Sequence, residues 1–310
     1  MEFGIEASPG TKISRLIELT IGGEKVSIPF FTLKGDQEGP TLAITAGVHG
    51  TEYASIEAAL RLGRILDPKE ISGKIVILPI VNMPSFRKRT IYVGPHDNKN
   101  LNRVFPGKQG GSFSEALAYQ VFHEVVQKSD FYIDLHGGDM IESLIPFVIY
   151  IRSGNAEVDR TSLSMAEGFG LEFVVEGKME GSAIYAASHA GVPAILAEAG
   201  GQGIWNEKTV NIHMTGVKRI MGQLGMINVK SDPRPIKVFS FPWVFSEHDG
   251  LFYPQVSIGK KVSADQKLGS VCDYFGKELQ PVVSPNEGTV LFMVTSLAIN
   301  KGDPLMGIGG

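Results

Sequence analysis

The sequence predicts an α/β protein: a mixed, mostly parallel β-sheet with helices on both faces, followed by a small all-β, barrel-like domain. Two observations lead to this class. Short apolar runs alternate with helical stretches, as in parallel sheets that are buried on both faces. From residue 232 onward the helical periodicity stops, and short strands and glycine turns follow. The expected boundaries are therefore 1–231 for the first domain, with N-terminal strands in 1–40, and 232–310 for the second.

The elements of the first domain follow one another in a regular order. Two strands flank a glycine-containing turn at residues 22–25, and strand–helix units follow them. Strands are expected at about 13–21, 26–33, 41–46, 74–81, 130–135 and 193–199, and helices at about 52–66, 114–127 and 207–224. Ligand sites in open α/β sheets lie beyond the carboxyl ends of the strands, so we expect functional side chains there.

Composition excludes several classes of protein. The 310 residues are 43% hydrophobic and 20% charged, with a net charge of −4 and no run of Lys or Arg, which argues against a nucleic-acid partner. The single cysteine, Cys272, fits a reducing compartment. The N-terminus does not read as a signal peptide, and no apolar run reaches the roughly 18 residues that span a bilayer. We expect a cytoplasmic protein without a membrane partner, acting on a small molecule, whose β tail offers an interface for a homo-oligomer.

Two segments at strand ends carry the side chains of a candidate metal site. His49 and Glu52 follow the strand at 41–46, three residues apart, so both can face one point. His136 ends the strand at 130–135 and is followed by two glycines. Catalytic zinc sites take three protein ligands, often two His and one Glu. We therefore expect His49, Glu52 and His136 to bind one Zn²⁺ per chain; the alternatives are a surface His–Glu pair and a core histidine.

Glu198 is the candidate general base. It ends the apolar run Pro193–Ala197, where an unpaired carboxylate is costly unless it has a function. Hydrolysis by a metal-activated water requires a base that takes a proton and returns it to the leaving amine. The alternative is a buried glutamate paired with a basic neighbour.

A long polar loop between the two metal-ligand segments supplies candidate substrate-binding residues. Asn102 and Arg103 can grip a carboxylate, because a guanidinium offers planar, paired donors. A second arginine, Arg87 or Arg89, can stabilise the oxyanion that forms during attack on an amide. The alternative is a basic loop exposed to solvent.

Four ordered motifs resemble the succinylglutamate desuccinylase/aspartoacylase family, which has a zinc carboxypeptidase-like fold. The resemblance covers about residues 40–225. The motifs are Gly-Val-His-Gly-Thr-Glu at 47–52, Asn-Leu-Asn-Arg-Val-Phe-Pro-Gly at 100–107, Asp-Leu-His-Gly at 134–137 and Glu-Ala-Gly at 198–200. The resemblance implies that His49, Glu52 and His136 bind zinc and that Glu198 is the general acid/base. It further implies that Arg89 polarises the carbonyl and that Asn102 and Arg103 bind the carboxylate.

The expected function is zinc-dependent hydrolysis of the amide bond of a small N-acyl amino acid or N-acylated amine. A metallocarboxypeptidase acting on peptides is the alternative within the same chemistry. A non-catalytic carrier module is a further alternative, with Lys277 modified at a turn of a biotinyl/lipoyl-like barrel. Trp205 and Tyr185 are candidates for a substrate wall, or else pack in the aromatic core.

Overall fold

A nine-stranded mixed sheet forms the centre of the molecule. The computed structural model describes residues 3, 6–229, 237–239 and 241–310. The strands of this sheet are β1 (Thr11–Ile21), β2 (Glu24–Lys34), β3 (Gln37–Ala46), β4 (Ser72–Leu78), β5 (Phe131–His136), β7 (Phe147–Ile151), β8 (Phe173–Gly177), β9 (Ala194–Glu198) and β10 (Lys237–Phe239), in the order β1-β2-β4-β3-β5-β9-β7-β8-β10. Five of the eight neighbouring pairs are parallel, which confirms the mostly parallel sheet.

Helices cover both faces of this sheet, as expected. They are α1 (Tyr53–Ile65), α2 (Met83–Lys88), α3 (Phe113–Val121), α4 (Ala156–Phe169), α5 (Ala183–His189) and α6 (Glu207–Gln223); α3 continues into a π-helical turn at Phe122–Val126. Apolar side chains of α1, α4 and α6 pack on one face, and those of α3 and α5 pack on the other. The central strands are therefore buried on both sides, which explains their nearly continuous apolar sequences.

The C-terminal region is built from two antiparallel sheets. Its strands are β11 (Trp243–Phe245), β12 (Gly250–Pro254), β13 (Lys261–Val262), β14 (Lys267–Cys272), β15 (Glu278–Val283), β16 (Gly288–Val294), β17 (Ala298–Ile299) and β18 (Pro304–Gly309). The sheet orders are β11-β18-β16-β13 and β15-β14-β12-β17. A short strand from the first region, β6 (Glu142–Leu144), pairs with β16 and ties the two regions together.

The expected linker at residues 232–235 lies outside the described residues, so the division at 231/232 stays a prediction. Strand β10, beyond that position, pairs with β8 of the large sheet. The large sheet therefore includes chain on both sides of the expected boundary. Among the helices that the structure describes, none has the length and apolarity needed to cross a membrane.

The topology places three neighbouring strands with their carboxyl ends at one edge of the sheet. Strands β3, β5 and β9 are adjacent and parallel, with Ala46 opposite Leu135 and His136 opposite Glu198. Parallel neighbours end at the same edge, so the residues that follow β3 and those that end β5 and β9 meet there. This edge carries the candidate site.

We predict that Leu42→Ala in β3 lowers the free energy of unfolding by about 2–5 kcal/mol, because the truncation leaves a cavity in a packed core. Leu42 is 0% exposed, whereas Leu16 in β1 is 58% exposed and provides a matched control. Urea unfolding should show a change within about 0.5 kcal/mol for Leu16→Ala. Equal losses for the two variants would contradict the burial described here.

Candidate metal centre and active site

The turn between β3 and α1 brings His49 and Glu52 together. Gly47 leaves the strand with a φ of 64°, a conformation that favours glycine. Glu52 is the N-cap residue of α1, so its side chain turns back toward the strand ends. His49 Nδ1 lies 2.7 Å from Glu52 Oε1. The expected pairing of the two side chains is therefore present, and Glu52 is buried rather than at the surface.

His136 completes the group from the end of β5. Its Nδ1 lies 2.9 Å from Glu52 Oε2, so the carboxylate of Glu52 sits between the two imidazoles. The backbone N–H of Gly137 also donates to Glu52 Oε2 at 3.2 Å. One ligand atom from each of His49, Glu52 and His136 lies within 4.8 Å of the others. The structure thus brings the three expected ligands together.

Two further residues hold the imidazoles in place. His49 Nε2 lies 3.0 Å from Asn100 Oδ1, and His136 Nε2 lies 3.0 Å from Asp134 Oδ2. Asn100 Oδ1 and Asp134 Oδ2 are hydrogen-bond acceptors, so each histidine can donate to its partner from a protonated Nε2. The Nδ1 of each ring, which faces Glu52, then keeps its lone pair for a cation. Thr45 donates to the other oxygen of Asp134 at 2.6 Å. Neither Asn100 nor Asp134 is identified as functional by the sequence reasoning, although both lie inside its motifs.

Glu198 stands next to this group with an unsatisfied oxygen. It ends β9 directly opposite His136, and its Oε2 is buried without a hydrogen-bond partner. Burial raises the pKa of Glu198 to about 8, and the negative charge of Glu52 adds to the shift. Burial by itself would raise the pKa of Glu52 too, but His136 and His49 outweigh it and lower that pKa to about 2. A buried carboxylate without a partner is costly unless a proton, a cation or a substrate compensates it.

The donor set fits a divalent cation such as zinc. Two imidazole nitrogens and one carboxylate are the protein ligands of a common class of catalytic zinc site, which keeps a further position open for water or substrate. Glu198, whose Oε2 has no hydrogen-bond partner, lines the same cavity as these three residues. A cation at His49, Glu52 and His136 would also lower the cost of burying two carboxylates so close together.

The cavity above the group has a volume of about 320 Å³. The catalytic candidates on its wall are His49, Glu52, His136, Glu198, Asn102 and Arg103, and the remaining lining includes Val93, Leu144, Phe147, Ile149, Met179, Leu196, Trp243, Phe292, Asp303 and Pro304. The last four of these lining residues belong to the C-terminal region. The site is therefore enclosed by both parts of the chain.

Asn102 and Arg103 lie together on a 3₁₀ turn, Leu101–Arg103, at the cavity wall. Asn102 is buried, and its Oδ1 accepts the backbone N–H of Ala183 at 2.9 Å, which anchors the turn to α5. Arg103 Nη1 donates to the carbonyl of Asn102 at 2.8 Å. Loss of water lowers the pKa of Arg103, and the charge of Glu198 opposes the shift. Arg103 and Glu198 therefore interact across the same cavity.

The structure does not bring Arg89 into the site. Helix α2 ends at Lys88, and Arg89 follows with a φ of 55° and an exposed side chain. Neither Arg89 nor Arg87 lines the cavity, whereas Arg103 does. The expectation that Arg89 polarises the carbonyl therefore has no support from its position, because the end of the helix turns it toward solvent. The spacing of a loop in sequence does not reveal such a turn.

The half-buried Tyr92 and the buried Glu142 form a hydrogen-bonded pair on the cavity wall that the sequence reasoning does not identify. Tyr92 donates from its hydroxyl to Glu142 Oε1 at 2.9 Å, and the backbone N–H of Asp139 donates to Oε2 at 2.6 Å. Burial raises the pKa of Glu142 to about 7. Both oxygens of Glu142 have protein partners, so this carboxylate is structurally satisfied, unlike Glu198.

The fold and the site define an α/β protein with a candidate cation site at the carboxyl edge of a mostly parallel sheet. Residues 38–224 match the family model of the succinylglutamate desuccinylase/aspartoacylase catalytic domain. The chain belongs to this family, which confirms the resemblance found in its four motifs.

Curated relatives and solved structures agree with this assignment. The chain is 29% identical over 293 residues to an N-alpha-acetyl-L-2,4-diaminobutyric acid deacetylase from Halomonas elongata, covering 90% of this chain and 84% of that one. It is 24% identical over 268 residues to a succinylglutamate desuccinylase from Pseudomonas paraeruginosa, covering 78% of each chain.

Two solved structures share the fold along nearly the whole chain. The product-bound ectoine utilization protein EutE (DoeB) from Ruegeria pomeroyi has a TM-score of 0.90 at 23% identity and covers 99% of this chain and 97% of its own. A succinylglutamate desuccinylase/aspartoacylase from Rhodobacter sphaeroides has a TM-score of 0.87 at 25% identity, with 99% and 96% covered. The likeness includes the C-terminal region as well as the large sheet.

We predict that His136→Ala loses stoichiometric binding of a divalent cation, because it removes one of the three ligands and leaves Glu52 facing a single imidazole. Metal analysis after incubation with zinc and dialysis measures this. His189→Ala is the matched control, since His189 is exposed at the end of α5 and bonds only locally, to the carbonyl of Tyr185. A His136→Ala protein that keeps one zinc per chain would show that the ligand set is wrong.

Proposed function

We propose that the protein hydrolyses the amide bond of a small N-acyl amino acid in a zinc-dependent reaction. The single observation that carries this proposal is the unpaired carboxylate of Glu198 beside His49, Glu52 and His136 in an enclosed cavity. A base without a protein partner, next to a cation site, is the arrangement that hydrolysis by water requires. The names of the two curated relatives, an acetyl-amino-acid deacetylase and a desuccinylase, support the same reaction class.

His49, Glu52 and His136 would hold the zinc, which when bound acts as a Lewis acid and makes a neutral-pH nucleophile of water. Glu198 takes one proton from the attacking water and delivers it to the departing nitrogen, so the amide gives a carboxylic acid and a free amine, and the acid then loses its proton to solvent. Asp134 and Asn100 keep the imidazoles oriented throughout.

Arg103 and Asn102 bind the carboxylate of the amino acid in this proposal. The guanidinium of Arg103 lies on the cavity wall, and the charge of Glu198 on the same wall raises its pKa against the effect of lost water. Asn102 is fixed by its bond to α5, so the pair is held in position before substrate arrives. Preorganised donors of this kind avoid the cost of ordering on binding.

Enclosure by the C-terminal region favours a deacylase over a carboxypeptidase that acts on peptides. Trp243, Phe292 and Asp303 close one side of the cavity, whose volume of about 320 Å³ suits a small molecule. A long peptide would have to pass these side chains.

We predict measurable hydrolysis of N-acetyl or N-succinyl amino acids by the zinc-loaded protein, and little release of C-terminal residues from peptides. A panel of both acyl series beside blocked dipeptides and longer peptides, followed by detection of free amine, measures this. Faster cleavage of the peptides would favour the carboxypeptidase alternative, and cleavage of neither class would remove the hydrolase assignment.

We predict that Glu198→Gln keeps zinc but lowers kcat by a factor of about 10²–10⁴, the usual contribution of general acid–base catalysis. Gln retains the shape of the side chain and loses the proton transfer. Glu167→Gln, on the exposed face of α4, is the matched control and should keep full activity. Near-normal turnover of a zinc-loaded Glu198→Gln protein would assign the base to another residue.

A further inference from the structure

A buried histidine on α6 lies behind the strand end that carries Glu198. His213 is 0% exposed, and its Nε2 lies 3.1 Å from the carbonyl oxygen of Ala199. A carbonyl oxygen can only accept, so the ring donates to it from a protonated Nε2. Ala199 directly follows Glu198 in the chain, and the histidine therefore contacts the backbone next to the candidate base.

The other nitrogen of this ring has no partner. Burial lowers the pKa of His213 to about 4, so the imidazole is neutral at neutral pH and carries a single proton. That proton is on Nε2, and Nδ1 is buried without a hydrogen-bond partner among the described residues. A buried polar atom without a partner costs about 1–3 kcal/mol, which an apolar side chain at this position would avoid. This cost indicates that the donor on Nε2 has a function.

Hydrogen bonds hold the chain on both sides of Ala199. Its backbone N–H, which belongs to the peptide bond with Glu198, donates to the carbonyl of His136 at 3.2 Å. Its own carbonyl accepts from His213, so the two peptide groups that flank Ala199 are both fixed. The base and a candidate metal ligand are thus joined through one anchored residue.

Close packing leaves the Ala199 carbonyl little room to move. A Cβ on Gly137 would lie 2.6 Å from this oxygen, which is too close for a side-chain carbon. Gly200 follows with a φ of 98°, a conformation that favours glycine, and a Cβ there would lie 2.8 Å from the Cβ of Ala54 in α1. The segment after Glu198 is therefore enclosed by the turn after β5, by α1 and by α6, and α6 supplies the side-chain donor.

We infer that His213 is a positioning residue for the general base: its hydrogen bond to Ala199 holds the backbone that places the Glu198 carboxylate in the site. This inference rests on the proposed deacylase function, in which Glu198 transfers the proton. A base displaced by about an ångström can lose about a hundredfold in rate, because proton transfer requires hydrogen-bond distance. His213 does not line the catalytic cavity, so it acts through Glu198 and not on the substrate.

Steady-state kinetics of two variants with side chains of equal length test the inference on the zinc-loaded protein. In His213→Gln the amide nitrogen reaches about as far as the ring Nε2 and can donate to Ala199, whereas His213→Met keeps the bulk and loses the donor. His213→Gln should keep most of the wild-type kcat. His213→Met should lose a factor of about 10–100 in kcat, with KM and zinc content unchanged. Equal kcat values for the two variants would overturn the inference.

Val217→Ala, one turn further along the buried face of α6, is the matched control for a general loss of packing. It should lower the free energy of unfolding and keep the wild-type kcat. A fall in kcat as large as that of His213→Met would assign the effect to the packing of α6 and contradict the inference. If His213→Met does not fold, His213→Asn replaces it, because its amide reaches only the position of the ring Nδ1 and cannot meet the Ala199 carbonyl.

The Glu198→Gln background separates an effect on the base from any other effect. In that background His213→Met should lower the residual kcat by less than about twofold, because the base that it positions is already absent. A loss as large as in the wild-type background would show that His213 acts independently of Glu198, against the inference.

Crystal structures of the two variants give a readout that needs no turnover. The Ala199 carbonyl and the Glu198 carboxylate should shift by about an ångström in His213→Met and keep their places in His213→Gln. Such a shift, in a protein whose wild type hydrolyses none of the acyl amino acids, would support the positioning role and contradict the deacylase function. An unmoved Glu198 in His213→Met would overturn the inference, whether or not the wild-type protein is active.

Discussion

The carboxylate of Glu52, buried between two imidazoles, is the interaction on which the rest of the site depends. One oxygen faces His49 at 2.7 Å and the other faces His136 at 2.9 Å, so a single side chain ties the start of α1 to the end of β5. Taking a carboxylate out of water is costly, and this arrangement offsets the cost with charge and hydrogen bonds. Glu198, placed beside it, adds a half-buried carboxylate whose Oε2 is buried without a partner. The group as a whole is therefore built for a cation.

The order of the strands determines which candidate site residues lie next to one another. Parallel pairing of β5 with β9 puts His136 opposite Glu198, and antiparallel pairing of β9 with β7 puts Phe147 opposite Glu198 on the other side. Glu198 thus stands between the candidate cation ligand His136 and Phe147. Strand β6, which pairs with β16, brings the C-terminal region over the same edge. This topology places the candidate metal ligands, Glu198 and part of the C-terminal region at one strand edge.

The candidate metal ligands and Glu198 are easier to predict from the sequence than the residues that line the rest of the cavity. His49, Glu52, His136 and Glu198 are predictable because strand ends in an α/β pattern leave few positions where such residues can meet. Strands β1 to β5 and β9 and helices α1, α3 and α6 follow from the apolar runs and their periodicity, whereas β7, β8, α4 and α5 were not predicted from the sequence. The position of the Arg89 side chain could not be predicted from the sequence. The left-handed turn after α2, which exposes it, depends on packing rather than on the spacing of residues in the loop.

Trp243 and Trp205 show why sequence reasoning misses the residues that line the cavity. Trp205 precedes a helix near Glu198 in the chain, yet it lies outside the cavity, under Arg61. Trp243 is distant in sequence from the candidate metal ligands and from Glu198, and it reaches the cavity because β11 pairs with β18 in the C-terminal sheet. The candidate cation ligands and Glu198 lie in short motifs at the ends of neighbouring strands, whereas the rest of the cavity lining comes from separate elements. Members of one family can therefore keep the reaction and change the substrate through residues that no shared motif contains.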